Sequence, residues 1–173
     1  MSLMKPAILA AAAVALLIAS VSSLRAEAVQ PKPAPAWKLK DVDGKTVTSE
    51  QFKGKVVVLD FWATWCPPCK AEIPGYVVLQ KKYADDGLVI VGVSVDDDGP
   101  GRAAMVRKFM TERGMNYTVG FATDEVIASF GGINAIPTTF IIDRDGNIRN
   151  KKVGGEATAD YEKEILAVLK PAS

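Results

Sequence analysis

Two almost purely apolar, β-branched runs, Val56 to Phe61 and Leu88 to Val95, lie either side of one helical stretch, Lys70 to Tyr83. Runs of this kind read as strands buried on both faces. Strand, helix, strand in this order folds as a right-handed crossover with its two strands parallel. The predicted class is therefore α/β, and whatever lies between Phe61 and Lys70 sits where a central strand hands over to a helix.

That junction reads Phe61-Trp62-Ala63-Thr64-Trp65-Cys66-Pro67-Pro68-Cys69-Lys70-Ala71-Glu72 and holds both cysteines of the chain. At the start of a helix several backbone N–H groups lack partners and the macrodipole is positive, so a thiolate at Cys66 is favoured and its pKa is drawn down. Cys69 lies one turn later on the same face, within reach of Cys66. The pair can therefore cycle between dithiol and disulfide, and the leading sulfur is expected to be open to solvent. A zinc site usually takes four Cys, His or carboxylate ligands, and the chain has no histidine and no further cysteine. Haem attachment needs a histidine directly after the second cysteine, where Lys70 stands. A static crosslink closing so short a loop would remove little chain entropy.

Around this junction the 173 residues fit one globular domain. With 21 basic and 20 acidic residues there is no electrostatic case for a nucleic-acid or anionic-membrane partner. The N-terminus stands apart: Lys5, the apolar stretch Ala7 to Val21, then Ala26-Glu27-Ala28 have the pattern of a secretory signal peptide over residues 1–28. Cleavage after Ala28 is expected, with an uncleaved membrane anchor as the alternative. Export would place the thiol pair where disulfides persist. Residues 29–36, with Pro31, Pro33 and Pro35, read as a stiff linker, and residues 37–173 as the folded domain.

Within that domain, Trp37 to Leu39 and Lys45 to Thr48 flank the turn Asp41-Val42-Asp43-Gly44 and predict a hairpin, followed by a brief helix capped by Ser49. The motif helix has its apolar positions at Ile73, Val77 and Val78, and Pro74 should bend it. Asp96-Asp97-Asp98 lacks the ligand spacing of a calcium loop and reads as a solvated loop. Ala103 to Arg113 is an amphipathic helix, Met115 to Phe121 a strand, and Glu125 to Phe130 a short helix. Ile136-Pro137-Thr138-Thr139-Phe140-Ile141-Ile142 opens a strand that returns through Asp143-Arg144-Asp145-Gly146 into Asn147 to Val153. Asp160 to Leu169 closes the chain as a helix with Ile165, Leu166, Val168 and Leu169 inward.

Taken in order, the WCxxC at a strand-to-helix junction, Pro74 eight residues after Cys66 and the late Ile136-Pro137-Thr138 resemble the thioredoxin superfamily. Phe61 to Pro74 more narrowly resembles the exported TlpA/ResA-like protein-disulfide reductases. The resemblance covers about Trp37 to Leu169 and implies a thioredoxin-like fold: a central mixed β-sheet flanked by helices, with an inserted helix–strand unit and an N-terminal hairpin. It implies Cys66 as the attacking thiolate, Cys69 as the resolving thiol, and Pro137 as a cis-proline facing the pair. The Ile136 backbone would then hold an extended substrate segment, with Trp65, Pro67 and Pro68 as further substrate contacts.

Asp60, inside an apolar strand, should have a raised pKa and could take the Cys69 proton. Glu72 shares the helix face of Cys69 and is the other candidate for that proton; the resemblance implies an acid at this place that affects the thiols, in proteins that often lack the Asp. The Cys66/Cys69 disulfide itself is expected to serve as redox carrier, with no organic or metal cofactor. Expected partners are disulfide-containing exported proteins, such as apocytochrome c, and a membrane thiol carrier as electron donor; a monomer and a periplasmic location are expected. The other readings of the same thiols are a peroxiredoxin-like thiol peroxidase and a metal- or haem-handling binding module.

Overall fold

The computed structural model describes residues 32–169, so the leader expected over 1–28 lies outside the described residues. Among these, no helix is long and apolar enough to cross a membrane. The strands are β1 (Lys32–Pro33), β2 (Lys38–Asp41), β3 (Thr46–Thr48), β4 (Val56–Trp62), β5 (Leu88–Ser94), β6 (Thr118–Phe121), β7 (Thr138–Ile142) and β8 (Asn147–Val153). The helices are α1 (Pro67–Tyr83), α2 (Arg102–Arg113), α3 (Asp124–Ser129) and α4 (Thr158–Leu169).

All strands join one sheet in the order β1-β8-β7-β4-β5-β6-β2-β3. β4, β5 and β6 run parallel, whereas β7 pairs antiparallel with β4 and the hairpin β2-β3 adds antiparallel through β6. This is the mixed, helix-flanked thioredoxin-like sheet, with α2 and β6 as the inserted unit and β2-β3 as the N-terminal hairpin.

β4 is buried along its whole length, and its alternation sorts two cores. Val57, Leu59 and Phe61 pack with Phe130 and Phe140 on one face. Val56, Val58 and Trp62 pack on the other with α1, α4, Cys66 and Cys69. Period two puts Asp60 on this second face. Its neighbours across the strands are Gly92 of β5 and Thr139 of β7.

Several local expectations give way to specific contacts. The 3₁₀ turn Ser49–Phe52 is preceded by Thr48 as its N-cap rather than by Ser49. Thr48 N donates to Gln51 Oε1, while Ser49 Oγ accepts from Trp37 N. The predicted 29–36 linker is not free throughout, since Lys32 and Pro33 pair antiparallel with β8. Met115 N caps α2 by donating to Met110 O, so β6 starts only at Thr118. β7 likewise begins after Pro137, which has no N–H for the ladder. Val78 of α1 is exposed, whereas Tyr76 and Tyr161, neither of them expected inward, are buried.

Candidate active site

Cys66 is the N-cap of α1, and Pro67 and Pro68 occupy the first two helical positions. Proline suits a first turn because its missing N–H would be unpaired there anyway. The first free amide belongs to Cys69, and it donates to Cys66 Sγ at 3.3 Å. The two sulfurs form a disulfide, with their Cα atoms 5.3 Å apart. Both cysteines are built into the core cluster with Trp62, Ala63 and Ile73.

Trp65 stands 61% exposed beside them, and Pro67 and Pro68 are exposed as well. Cys66 itself is only 2% exposed. The leading sulfur, expected open to solvent, is thus recessed in the oxidised form, because the same packing that seats the helix start on the core also covers the bond. The Ile136-Pro137 peptide is cis. Pro137 is buried, and half-buried Ile136 packs against the cluster that contains both cysteines. Pro137 O accepts from Gly154 N, tying the start of β7 to the turn after β8.

Behind the disulfide lies a layer of acids and hydroxyls. Asp60 is buried, and its Oδ1 accepts from Thr139 Oγ1 at 3.1 Å. Burial, then the nearby Glu72 charge, push its carboxyl up to about 8, against the pull of the Thr139 hydrogen bond. Thr139 Oγ1 also lies 3.2 Å from Tyr76 OH and 3.1 Å from Tyr161 OH.

Glu72 is buried rather than solvated. Its Oε1 accepts from Glu156 N at 2.7 Å, while its Oε2 is buried with no partner. Burial raises its pKa, moderated chiefly by the Glu156 amide and then by Tyr161. The turn holding that amide passes over the helix start, with Gly155 facing Pro68 and Glu72 and leaving room there for a Cβ at ordinary contact distance, 3.5 Å from Pro68 and 3.6 Å from Glu72 Oε1.

The structure also corrects the reading of Asp96. This residue is buried, not solvated, and accepts from Thr64 N, Thr64 Oγ1 and Ser94 Oγ. Thr64 lies two residues before Cys66, so Asp96 fixes the approach to the motif. Lys70 is half-buried at the helix start. Among the described residues no three His, Cys, Asp or Glu side chains come together as a metal site.

Sequence reasoning brought out the thiols, both prolines, the aromatic rim and the two acids. It missed Thr139, Tyr76, Tyr161, Thr64 and Asp96. The signal for Thr139 was a pair of hydroxyls, Thr138 and Thr139, opening a strand that is otherwise apolar; the pairing of Thr139 with Asp60 needs the β4-β7 register, which no local pattern contains.

The family model described as Redoxin matches residues 30–169. The thiol-disulfide oxidoreductase ResA of Bacillus subtilis (strain 168) is 36% identical over 138 residues, covering 80% of this chain and 74% of its own length. ResA of Oceanobacillus iheyensis is 35% identical over 142 residues, covering 80% and 71%. Among solved structures, a thiol:disulfide interchange protein of the thioredoxin family from Chlorobium tepidum TLS superposes with a TM-score of 0.74 at 39% identity, covering 82% of this chain and 98% of that one. A thiol:disulfide interchange protein from Bacteroides sp. gives 0.70 at 25% identity, covering 83% and 91%.

Proposed function

Because this chain belongs to the Redoxin family and is a thiol-disulfide oxidoreductase of the ResA type, we propose that it works outside the cytoplasm as a reductant of disulfides in exported proteins. The observation that carries this reading is the disulfide at the α1 N-terminus, in which the Cys69 amide is the single first-turn donor to Cys66 Sγ.

In the reduced enzyme the Cys66 thiolate attacks one sulfur of the substrate disulfide and expels the other as a thiolate. A mixed disulfide now joins enzyme and substrate. Cys69 then gives up its proton, attacks Cys66 Sγ and releases the second substrate thiolate. Two electrons have passed to the substrate, and the enzyme is left with the Cys66-Cys69 disulfide. No organic or metal cofactor enters this sequence.

The proton from Cys69 goes to Asp60 in this scheme. A carboxyl near 8 is close to an ordinary thiol, near 8.5, so transfer between them is almost thermoneutral in either direction. When the enzyme is recharged, neutral Asp60 returns the proton to the departing Cys69 thiolate. Glu72 acts on the same step through its charge, which helps hold Asp60 protonated.

Direction follows from the prolines. The amide at the Pro68 position, which could have bonded a Cys66 thiolate, is absent, and a weakly stabilised thiolate makes the dithiol the better electron donor. Trp65, Pro67, Pro68, Ile136 and Pro137 form the substrate face. A recessed sulfur favours extended segments, paired along Ile136, over folded surfaces. The leader pattern over residues 1–28 supports export to a periplasmic space, where cysteine pairs of apocytochrome c are a fitting substrate and a membrane thiol carrier a fitting electron source.

The test is a Cys69→Ser variant, which should accumulate a mixed disulfide with its substrate, together with the reduction potential of the wild-type pair. A potential in the range of strong oxidants, near −120 mV, would overturn the reductant reading. So would disulfide reduction retained by Cys66→Ser.

A further inference from the structure

A β-strand packed on both faces favours valine or isoleucine, yet position 139 of β7 carries a threonine whose hydroxyl is buried away from water. Threonine and valine have nearly the same shape, and burying a hydroxyl costs free energy unless it is hydrogen-bonded. Here it is fully used. Thr139 Oγ1 meets Asp60 Oδ1 at 3.1 Å, Tyr161 OH at 3.1 Å and Tyr76 OH at 3.2 Å. A hydroxyl has one proton and two lone pairs, so three partners saturate it.

We propose that Thr139 is a positioning residue for proton exchange at the disulfide: its hydroxyl orients the Asp60 carboxyl and links it, through Tyr76 and Tyr161, to α1, which carries Cys69 and Glu72, and to α4. The proposal rests on Asp60 being the Cys69 proton acceptor, and it adds what makes that carboxyl able to change state within the core.

The hydrogen-bond directions follow from the proton count. When Asp60 is ionised, Thr139 spends its one proton on Asp60 Oδ1, and both tyrosines donate to Thr139. When Asp60 gains a proton, it no longer requires a donor. Thr139 is then free to turn its proton toward a tyrosine oxygen and accept from the new carboxyl O–H. The junction thus serves either state of the acid by hydroxyl rotation alone, without moving backbone or admitting water.

The groups facing Asp60 are drawn from every element around it. α1 supplies Glu72 and Tyr76, the segment before β6 supplies Tyr117, and α4 supplies Tyr161. Both Tyr76 and Tyr117 are held well above the ordinary phenol value by burial and then by the Asp60 charge. Tyr161 is raised likewise by burial, so the phenols around Asp60 stay neutral while it titrates. Thr139 gives Asp60 its only side-chain hydrogen bond among the described residues, so it is the side chain that holds the ionised carboxyl against the burial and the Glu72 charge that push it up.

Thr139→Val keeps the shape and removes the junction; Thr139→Ser keeps the hydroxyl. The Asp60 midpoint is read directly, from the carboxyl infrared band or carbon NMR of labelled Asp60, and the pH dependence of mixed-disulfide resolution is measured alongside. Thr139→Val should raise the midpoint by about one pH unit, a tenfold change in the ionisation constant, with Thr139→Ser close to wild type. Tyr161→Phe, which removes one donor to Thr139, should move it the same way by less and guards against a folding failure of the valine variant. An unmoved midpoint in folded Thr139→Val, or a serine variant that behaves like valine, overturns the proposal. A midpoint that rises while the resolution profile stays fixed overturns instead the assignment of Asp60 as acceptor and leaves the hold of Thr139 on it standing.

Discussion

Asp96 grips Thr64 at two points: its carboxylate accepts the Thr64 backbone N–H at 3.1 Å and the Thr64 hydroxyl at 2.6 Å. A third donor, Ser94 Oγ at 2.8 Å, comes from the end of β5. The loop from β4 to the disulfide is therefore pinned to the neighbouring strand two residues ahead of Cys66.

Asp96→Ala should leave the Thr64 amide and the Ser94 hydroxyl without an acceptor, at a cost of about 1–3 kcal/mol for each buried group. We expect a lower unfolding midpoint together with slower reduction of the disulfide by dithiothreitol. Thr64→Val, which loses only the hydroxyl contact, should show roughly half the loss of stability or less. Equal stability of Asp96→Ala and wild type in a denaturant titration would refute the pinning.

Asp60 makes stability pH-dependent. Its folded-state pKa, about 8, lies above the ordinary value of 3.8, so the folded state holds the proton more tightly than the unfolded chain. This contribution is fully present below pH 4 and is lost as pH rises to about 8. Asp60→Asn should accordingly be near wild type in stability at pH 4. It should become the more stable form by several kcal/mol at pH 9, since each pKa unit corresponds to about 1.4 kcal/mol. Thermal melts of both proteins across this range decide it, and a constant difference would show that Asp60 is not the titrating group.

Glu72→Gln removes a charge that holds Asp60 up while keeping an oxygen to accept from Glu156 N. The Asp60 midpoint should fall, and mixed-disulfide resolution should reach its plateau at lower pH. Titration of labelled Asp60 in the variant checks this, and a rise would contradict the proposed coupling of the two acids.

Pro68 stands at the helix position whose amide commonly binds an N-cap side chain. Pro68→Ala restores that N–H beside Cys66 Sγ. A charge-assisted bond to the thiolate worth about 1.4 kcal/mol would make the pair more oxidising by about 30 mV. Equilibration with a glutathione buffer reads the change, and a more reducing variant would reject the account of direction given above.

Gly92 faces the indole of Trp62, and a Cβ there would come within 2.8 Å of Trp62 Nε1 and 3.3 Å of Val119 Cγ2. Trp62 is buried against Phe109 of α2, at a ring distance of 5.4 Å, and has no room to retreat. Gly92→Ala should lose about 1–3 kcal/mol through overpacking, measurable as a lower denaturant midpoint.

How much of this the sequence contained depends on the range of each interaction. The crossover β4-α1-β5 was legible because apolar periodicity and strand length are local properties, and the thiol pair was legible because both cysteines lie within one helical turn. Asp60 stood out as an acid in an apolar strand, and Glu72 by its place on the helix face of Cys69 and by the ResA-like resemblance. Thr139 did not, because its significance depends on a pairing across the sheet with a residue 79 positions away. Asp96 was misread for the same reason: three successive aspartates look hydrated, and only the fold shows that the first of them turns inward to Thr64.

The two-residue strand Lys32–Pro33 has a consequence out of proportion to its length. It covers the β8 segment at Asn147 and Ile148, with Ala34 N donating further to Gly146 O, and an uncovered strand edge invites pairing with other chains. A chain shortened past Ala34 would bare that margin and open the start of β8 to self-association.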